Sequence, residues 1–397
     1  MQDNEKKPAL RFKGFTDPWE QRKLGEVFEE YSEKNHAELP PLTIIQGGGT
    51  IRRDESERAL QYDKSSLSNY KMVNKDDFIV HLRSFEGGLE KASSQGIISP
   101  AYHTFHGEDV DSRFYYAYFR SKNFINKDLK PHVYGIRDGR SIDIEGMKTI
   151  RIPWASYPEQ KSIGDFLTHL DTLITLHQRK YEKLVNIKKS MLDKMFPKNG
   201  ASVPEIRFKG FTDPWEQRKF SELYEKVSRK NDLTYGKDDI ISVANMYYKA
   251  ESYITDENYL LTYNVFEMGD IAFEGNKSKN FAHGRFVENT IGNGIVSHVF
   301  DVFKPRMTNY DLQFWKYAIN NERIMGPILL RSTKASTMMT NLVADDFLQE
   351  NFLIPCYEEQ KKIGEFLNQL DTLITLHQRK LEKLQNIKKS CLEKMFV

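Results

Sequence analysis

The chain has 397 residues, of which 39% are hydrophobic, 29% are charged and 12% are aromatic. This composition is typical of a folded protein of two or three domains and excludes a largely disordered chain. The formal net charge of only +2 excludes a protein that coats nucleic acid without sequence preference, because such proteins are strongly basic.

The two cysteines and the hydropathy pattern exclude two further classes. Cys356 and Cys391 have no metal-ligand spacing around them, so we interpret both as reduced thiols. No stretch approaches the roughly 20 apolar residues that a membrane span requires, and the first residues lack the apolar run of a signal peptide. We therefore expect a cytoplasmic protein without a membrane segment and without a metal site.

The first recognisable element is a short segment that occurs twice. Arg11–Lys23 reads RFKGFTDPWEQRK, and Arg207–Lys219 has the same letters. Each copy contains an Asp-Pro-Trp-Glu sequence, beginning at Asp17 and Asp213, that invites an active-site interpretation. Its duplication at the start of two domains favours a structural anchor instead.

Each copy of this segment precedes a region that differs between the two halves of the chain. Leu24–Pro153 and Phe220–Pro355 are equivalent by position but mostly different in sequence. A faint common skeleton predicts that both regions share one fold while their surfaces differ. It consists of Gly96-Ile97-Ile98-Ser99 with Gly294-Ile295-Val296-Ser297, Asp77-Phe78-Ile79 with Asp270-Ile271-Ala272, and Phe105 with Phe303.

A long repeated segment follows each variable region. Glu159–Phe196 recurs with few changes as Glu359–Phe396. Its apolar positions are spaced by four and three, which predicts a coiled-coil-like helix of about 57 Å; they are Ile163, Leu167, Leu170, Ile174, His177, Tyr181 and Leu184, with equivalents in the second copy. The only similar helix is the other copy, so an antiparallel pair is favoured over a plain bundle helix in one domain.

The polar face of each repeated helix is rich in basic residues. Such a charge run is usually a solvated face, and contact with DNA phosphates is the alternative. The residues are Arg179, Lys180, Lys183, Lys188 and Lys189, each with an equivalent in the second copy.

Together these elements predict an α+β protein with a pseudo-two-fold internal repeat, in which two globular domains are joined by two long antiparallel helices. The predicted boundaries are 1–155 for the first domain, 156–197 for the central spacer helix, 198–355 for the second domain and 356–397 for the C-terminal spacer helix.

Two variable domains, each followed by a near-identical long helix, resemble the specificity subunits of type I restriction-modification enzymes. The resemblance covers nearly the whole chain. It rests on Glu159-Gln160 with Ile163, Phe166, Leu167, Leu170 and Asp171, repeated from Glu359, and on Asp17-Pro18-Trp19-Glu20 with Leu24-Gly25-Glu26.

The resemblance implies a DNA-binding, non-catalytic subunit of a restriction system. Each variable region would be a target recognition domain for one half of a bipartite double-stranded DNA site, and the spacer helices would set the gap. Two modification (methyltransferase) subunits would bind around the chain, and restriction (endonuclease and translocase) subunits would join for cleavage. S-adenosylmethionine, ATP and magnesium would belong to those partners, with no cofactor on this chain.

Sequence motifs for catalysis are missing. The chain has no G-x-x-x-x-G-K-[ST] phosphate loop, no strand followed by G-x-G-x-x-G, and no Asn-Pro-Pro-Tyr or Asp-Pro-Pro-Tyr. Gly47–Gly49 is more typical of a flexible loop than of a phosphate site, and it has no counterpart in the second half, so the two domains are not expected to recognise identical DNA. Asp143, Glu145 and Lys148 have the wrong spacing for a nuclease set. A stand-alone nuclease or methyltransferase is therefore disfavoured, whereas a protein–protein scaffold with twin binding domains remains the alternative.

Base recognition requires hydrogen-bonding side chains at the base edges. The best candidates lie in segments that differ between the halves: 46–53, 83–91 and 134–141 in the first, and 245–249, 275–285 and 331–340 in the second. The candidate DNA-binding residues are Gln46, Arg52, Arg53, Arg83, Lys91, Tyr134, Arg137, Arg140, Ser141, Asn245, Lys277, Lys279, Arg285, Arg331, Lys334, Ser336 and Thr337.

Overall fold

A computed structural model describes residues 7–56, 64–135, 141–198, 200–249, 254, 256–335 and 339–396. The chain packs as two units. Unit 1 contains Met1–Gln178 and Arg379–Val397, and unit 2 contains Arg179–Gln378. Each unit therefore holds one variable region, half of one long helix and half of the other.

Unit 1 combines short strands with short helices and the first half of a long one. Its strands are β1 (Glu20–Lys23), β2 (Glu29–Tyr31), β3 (Leu42–Ile45), β4 (Gly49–Arg52), β5 (Lys71–Val73), β6 (Phe78–Val80), β7 (Glu90–Lys91), β8 (Gly96–Ile98), β9 (His103–His106), β10 (Val133–Tyr134), β11 (Ser141–Ile142) and β12 (Arg151–Trp154). Its helices are α1 (Leu24–Val27), α2 (Ser84–Gly87), α3 (Ser112–Phe119), α4 (Ile144–Lys148) and the first half of α5 (Tyr157–Lys194).

The centre of unit 1 is a four-stranded antiparallel sheet in the order β2-β9-β6-β7. Pairs β1-β12, β3-β4, β5-β8 and β10-β11 surround it. Phe28, Phe78 and Phe119 are buried, with ring centroids 5.0–5.5 Å apart in edge-to-face contacts. Alternating apolar residues on short strands thus bury one aromatic core against α3.

Unit 2 repeats this arrangement. Its strands are β13 (Glu216–Lys219), β14 (Tyr224–Val227), β15 (Ile241–Ser242), β16 (Tyr247–Tyr248), β17 (Asn264–Phe266), β18 (Ile271–Glu274), β19 (Arg285–Glu288), β20 (Gly294–Val296), β21 (Val302–Pro305), β22 (Thr333–Ala335), β23 (Thr340–Leu342) and β24 (Asn351–Ile354). Its helices are α6 (Phe220–Leu223), α7 (Leu312–Ala318), α8 (Glu322–Ser332), α9 (Ala344–Gln349) and the first half of α10 (Tyr357–Met395).

The sheets of unit 2 have the same connectivity as those of unit 1. The four-stranded order is β14-β21-β18-β19, and the pairs are β13-β24, β15-β16, β17-β20 and β22-β23. The register agrees as well, because Phe105 pairs with Phe78 and Phe303 pairs with Ile271. The shared fold predicted from the faint common skeleton is therefore confirmed, and so is the predicted mixture of helices and strands.

The duplicated segment before each variable region acts as an anchor on the long helix. In unit 1 the Arg11 guanidinium donates two hydrogen bonds to the Glu159 carboxylate, at 2.8 and 2.7 Å, and Trp19 Nε1 donates to the same group at 2.9 Å. In unit 2 Arg207 donates to Glu359 twice, at 2.7 Å. Because Glu159 and Glu359 are buried, these charges need their partners. This supports the structural interpretation of the segment.

Each unit contains two helix halves that run antiparallel. In unit 1 Lys388 Nζ, near the end of α10, bonds Asp171 in the first half of α5 at 2.5 Å. The Leu10 amide, before β1, also donates to the Lys394 carbonyl near the end of α10 at 3.0 Å. In unit 2 the equivalent ion pair joins Lys188 to Asp371 at 2.5 Å. The prediction of two long antiparallel helices is confirmed. A bundle helix within one domain is wrong, because each long helix contributes to both units.

Candidate nucleic-acid interface

In unit 1 the three variable segments lie together. Gly47 lies in the turn between β3 and β4, and Gly49 begins β4; their amides donate to the Glu90 carboxylate at 2.6 and 3.1 Å. The side chain of Gln46 packs so closely on Gly87 that a β carbon there would clash with it. Segments 46–53 and 83–91 thus form one surface.

The third segment of unit 1 joins the same surface through a small cavity. Ser141 and Ile142 line a cavity of about 50 Å³ together with His81, Leu82 and Phe85. The loop after β6 therefore contacts the β10-β11 hairpin. We call the described residues of segments 46–53, 83–91 and 134–141 the loop cluster of unit 1.

In unit 2 the corresponding segments also come together. Arg285 donates to the Ala244 carbonyl in the β15-β16 turn at 2.7 Å and to Glu274 at 2.7 Å. The Thr340 amide donates to the Gly275 carbonyl at 2.8 Å, which ties the β22-β23 hairpin to the loop after β18. We call the described residues of segments 245–249, 275–285 and 331–340 the loop cluster of unit 2.

Several candidate side chains are exposed on these clusters. Tyr134, in β10, is 58% exposed. The others in this group are Gln46, Ser141, Asn245, Lys277, Lys279 and Lys334. Four further candidates, Arg137, Arg140, Ser336 and Thr337, lie outside the described residues.

Other candidate cations have acceptors within the protein. Arg52 pairs with Asp54, and Arg83 pairs with Glu86. These side chains are 44–68% exposed, and ion pairs in contact with water are weak because solvent screens both charges. Both arginines can therefore exchange their acceptor for a phosphate or a base at little cost.

The remaining candidate cations are held more firmly. Lys91 pairs with Asp76, and Arg331 forms a bidentate pair with Glu350 at 2.8 and 2.6 Å. Arg53 donates to the Leu42 carbonyl at 3.4 Å and to the Tyr70 hydroxyl at 3.2 Å, and Arg285 has the two bonds already described. These four side chains support the loops in addition to any contact with a ligand.

Sequence reasoning missed the most heavily bonded residue of the unit 1 cluster. Glu90 is fully buried, and besides the two glycine amides it accepts from Tyr116 Oη at 2.8 Å and from the Arg120 guanidinium. Gly47–Gly49 is therefore held by a carboxylate of the protein itself and is not the loose loop that the glycine run suggested. Long-range pairing of this kind leaves no local signal, because Glu90 is an ordinary position of a short strand.

Burial changes the acidity of two groups near the clusters. Desolvation, together with the positive charges of Arg120 and Arg83, lowers the pKa of His81 to about 4. Burial raises the pKa of Glu288 well above its usual range, although the Tyr310 hydroxyl donates to this carboxyl. Lys91 pairs with Phe78 in unit 1, and Glu288 pairs with the equivalent Ile271 in unit 2. The two units therefore also differ in the charged side chains of the strands that support the clusters.

In the set Asp143, Glu145 and Lys148, which was compared with a nuclease site, the lysine forms structural ion pairs. The Lys148 ammonium pairs with Glu145 and with Glu30, each at 2.7 Å. Within the described ranges, no group of three or more His, Cys, Asp or Glu side chains is arranged to hold a metal ion. In the same part of the chain, no helix has both the length and the apolar character to cross a membrane.

Comparisons with known proteins agree on one family. The family model described as "Type I restriction modification DNA specificity domain" matches residues 16–186 and 212–386. The specificity subunit of the type I restriction enzyme MjaVIII from Methanocaldococcus jannaschii is 23% identical over 352 residues, which are 80% of this chain and 77% of that protein.

Solved structures show the same fold. The S subunit of a type I restriction-modification system from M. genitalium has a TM-score of 0.57 at 14% identity, covering 98% of this chain and 99% of that chain. The HsdS subunit from Thermoanaerobacter tengcongensis has a TM-score of 0.46 at 14% identity, covering 95% and 96%; a score this low adds no argument. The chain therefore belongs to the family of the type I restriction modification DNA specificity domain, of which it carries two copies, and is a DNA sequence-specificity subunit.

Proposed function

We propose that each unit recognises one half of a bipartite double-stranded DNA target through its loop cluster. One observation carries this proposal. Two units with the same strand connectivity bring three different segments to the same place in the fold. A scaffold that is kept while its loops diverge presents two different recognition surfaces in equivalent positions.

The exposed chemistry of the clusters suits base recognition. Gln46 and Asn245 are exposed amides, and such side chains bind adenine through paired hydrogen bonds in the major groove. Lys277, Lys279 and Lys334 are exposed ammonium groups, which bind phosphates as well as guanine. Local charge of this kind is compatible with the small net charge of the whole chain.

We infer that catalysis belongs to partner subunits. The sequence lacks the motifs that hold S-adenosylmethionine in amino-methyltransferases and ATP in phosphate-loop enzymes. The chain would therefore position two modification subunits, and restriction subunits where these join, on the DNA. Those subunits would bind S-adenosylmethionine, ATP and magnesium, and the complex would work in the cytoplasm.

Footprinting tests the proposal. The chain assembled with its modification subunits should protect two short sequences on each bound DNA, and the same two sequences should recur across a random library. A protein–protein scaffold predicts no sequence-selective footprint, and the comparisons give that alternative no support. The purified chain alone, given S-adenosylmethionine, ATP, magnesium and DNA, should neither methylate nor cut. Reproducible turnover without a partner would contradict the non-catalytic assignment.

A further inference from the structure

The buried Glu90 carboxylate fixes the β3-β4 turn of unit 1 through hydrogen bonds. Its Oε1 accepts from the Gly47 amide and from Arg120, and its Oε2 accepts from the Gly49 amide and from Tyr116. Both oxygens of this fully buried group are thus bonded twice. Two amides that converge on one carboxylate form an anion-binding turn, which here is filled from within the protein.

The two outer glycines are required for this close approach. Gly47 and Gly49 have φ angles of +83° and +75°, which side chains with a β carbon rarely adopt. A β carbon on Gly47 would lie 2.9 Å from the Arg120 guanidinium, and one on Gly49 would lie 2.7 Å from the Lys91 carbonyl. The glycine run therefore serves to hold one conformation of the turn, with Gln46 at its edge.

Unit 2 holds the equivalent turn with different residues. The Arg285 guanidinium binds the Ala244 carbonyl at 2.7 Å, and Glu274 holds that guanidinium at 2.7 Å. Arg285 also lies over the Phe281 ring, 5.1 Å from its centroid. A mostly buried carboxylate thus fixes the turn that carries Asn245, here through an arginine instead of directly.

We propose that Glu90 in unit 1 and the Glu274–Arg285 pair in unit 2 are positioning residues for DNA specificity. Each holds the hairpin turn of its loop cluster in the conformation that discriminates between bases. The two carboxylates, Glu90 and Glu274, are buried and do so without contacting DNA themselves. This inference rests on the proposed function, because it assumes that the β3-β4 and β15-β16 turns lie against the two half-sites.

The chemistry predicts what a conservative change does. Glu90→Gln keeps the shape of the side chain but replaces one acceptor oxygen with an NH₂ donor. That donor faces either the Gly47 amide and Arg120 or the Gly49 amide and the Tyr116 hydroxyl. In either orientation one glycine amide loses its carboxylate acceptor and faces another donor, so the turn no longer favours a single conformation.

The experiment maps methylated sites in a host that carries the chain with its partner subunits. For Glu90→Gln we expect discrimination at one half-site to fall roughly tenfold, the scale of one lost bidentate base contact, while the other half-site is unchanged. Glu274→Gln, which removes the buried charge that holds Arg285, should relax the opposite half-site instead. Glu108→Gln, which removes an exposed carboxylate after β9, is the matched control and should leave both half-sites as in the original chain.

Three results separate the possible failures. If Glu90→Gln leaves both half-sites unchanged or relaxes both equally, the positioning role is overturned. If Glu90→Gln does not fold, Tyr116→Phe decides, because it removes a single bond to Glu90 and should relax the same half-site by a smaller factor; no change in this variant overturns the role. If the original chain gives no bipartite motif, the proposed function itself fails.

Discussion

The ends of the two long helices should stabilise different units, although their sequences are nearly the same. Phe396 is buried in unit 1, where its ring centroid lies 5.2 Å from that of Phe114 and 5.8 Å from that of Tyr118. Phe196 is buried in unit 2, 5.7 Å from Trp215 and 5.8 Å from Phe314. Phe396→Ala should therefore weaken unit 1, and Phe196→Ala should weaken unit 2.

The expected size follows from the burial of each ring. Replacing a buried phenylalanine by alanine costs about 3–5 kcal/mol. Phe396 is 6% exposed and Phe196 is 0% exposed, so both changes should leave cavities in aromatic cores. At 1.4 kcal/mol for each factor of ten, the open state of the affected unit should become about a hundred to several thousand times more populated.

Hydrogen–deuterium exchange resolved by peptide measures this locally, because amide exchange reports the free energy of opening. Phe396→Ala should speed exchange in α3 and leave α7 unchanged, and Phe196→Ala should do the reverse. Leu376→Ala is the control, because Leu376 is 44% exposed and such changes usually cost under about 0.5 kcal/mol. If Phe396→Ala destabilised α7 as much as α3, or neither helix, the assignment of the helix ends to opposite units would be refuted.

Three further predictions concern the anchor, the pH response and the helix length. Glu159→Gln should destabilise unit 1 by about 3–5 kcal/mol in denaturant unfolding, because it leaves the mostly buried Arg11 without its charged partner; an effect under 1 kcal/mol would contradict the anchor. His81 has a pKa of about 4 in the folded chain and about 6.5 when unfolded, so the folded state binds fewer protons between these values. Stability of unit 1 should therefore fall as the pH drops from about 6.5 to about 4, and His81→Gln should flatten that slope in thermal unfolding. Inserting four residues after both Leu176 and Leu376 adds about 6 Å to each helix and should lengthen the gap of the methylated motif by one or two base pairs; an unchanged gap in an active variant would show that the helices do not set it.

Periodicity predicted the long helices well because the signal is local. Apolar residues three and four apart form one face of a helix, and the sequence predicted a spacer helix within 156–197. The structure begins this helix at Tyr157 and ends it at Lys194. Periodicity could not show that each long helix contributes one half to unit 1 and the other half to unit 2. Phe196 and Phe396 end two copies of one segment, and each follows a Lys-Met pair, so the repeated sequence does not tell which aromatic core each one enters.

The loop clusters were predictable as regions but not as individual contacts. Divergence between the two equivalent halves indicated the segments whose described residues the structure brings together in each unit. The bonds that shape those segments join residues far apart, such as Gly47 with Glu90 and Ala244 with Arg285. Charge alone therefore could not separate Arg285, which fixes a turn, from Lys279, which is exposed.

Methylation mapping of a host genome tests the central claim most directly. The host would carry this chain with its modification subunits, first unchanged and then with Leu24–Pro153 replaced by the equivalent region of another family member. The account predicts one bipartite motif with two different half-sites, of which the replacement changes only one. A motif that is contiguous, or a replacement that alters both half-sites, would contradict recognition by two independent units.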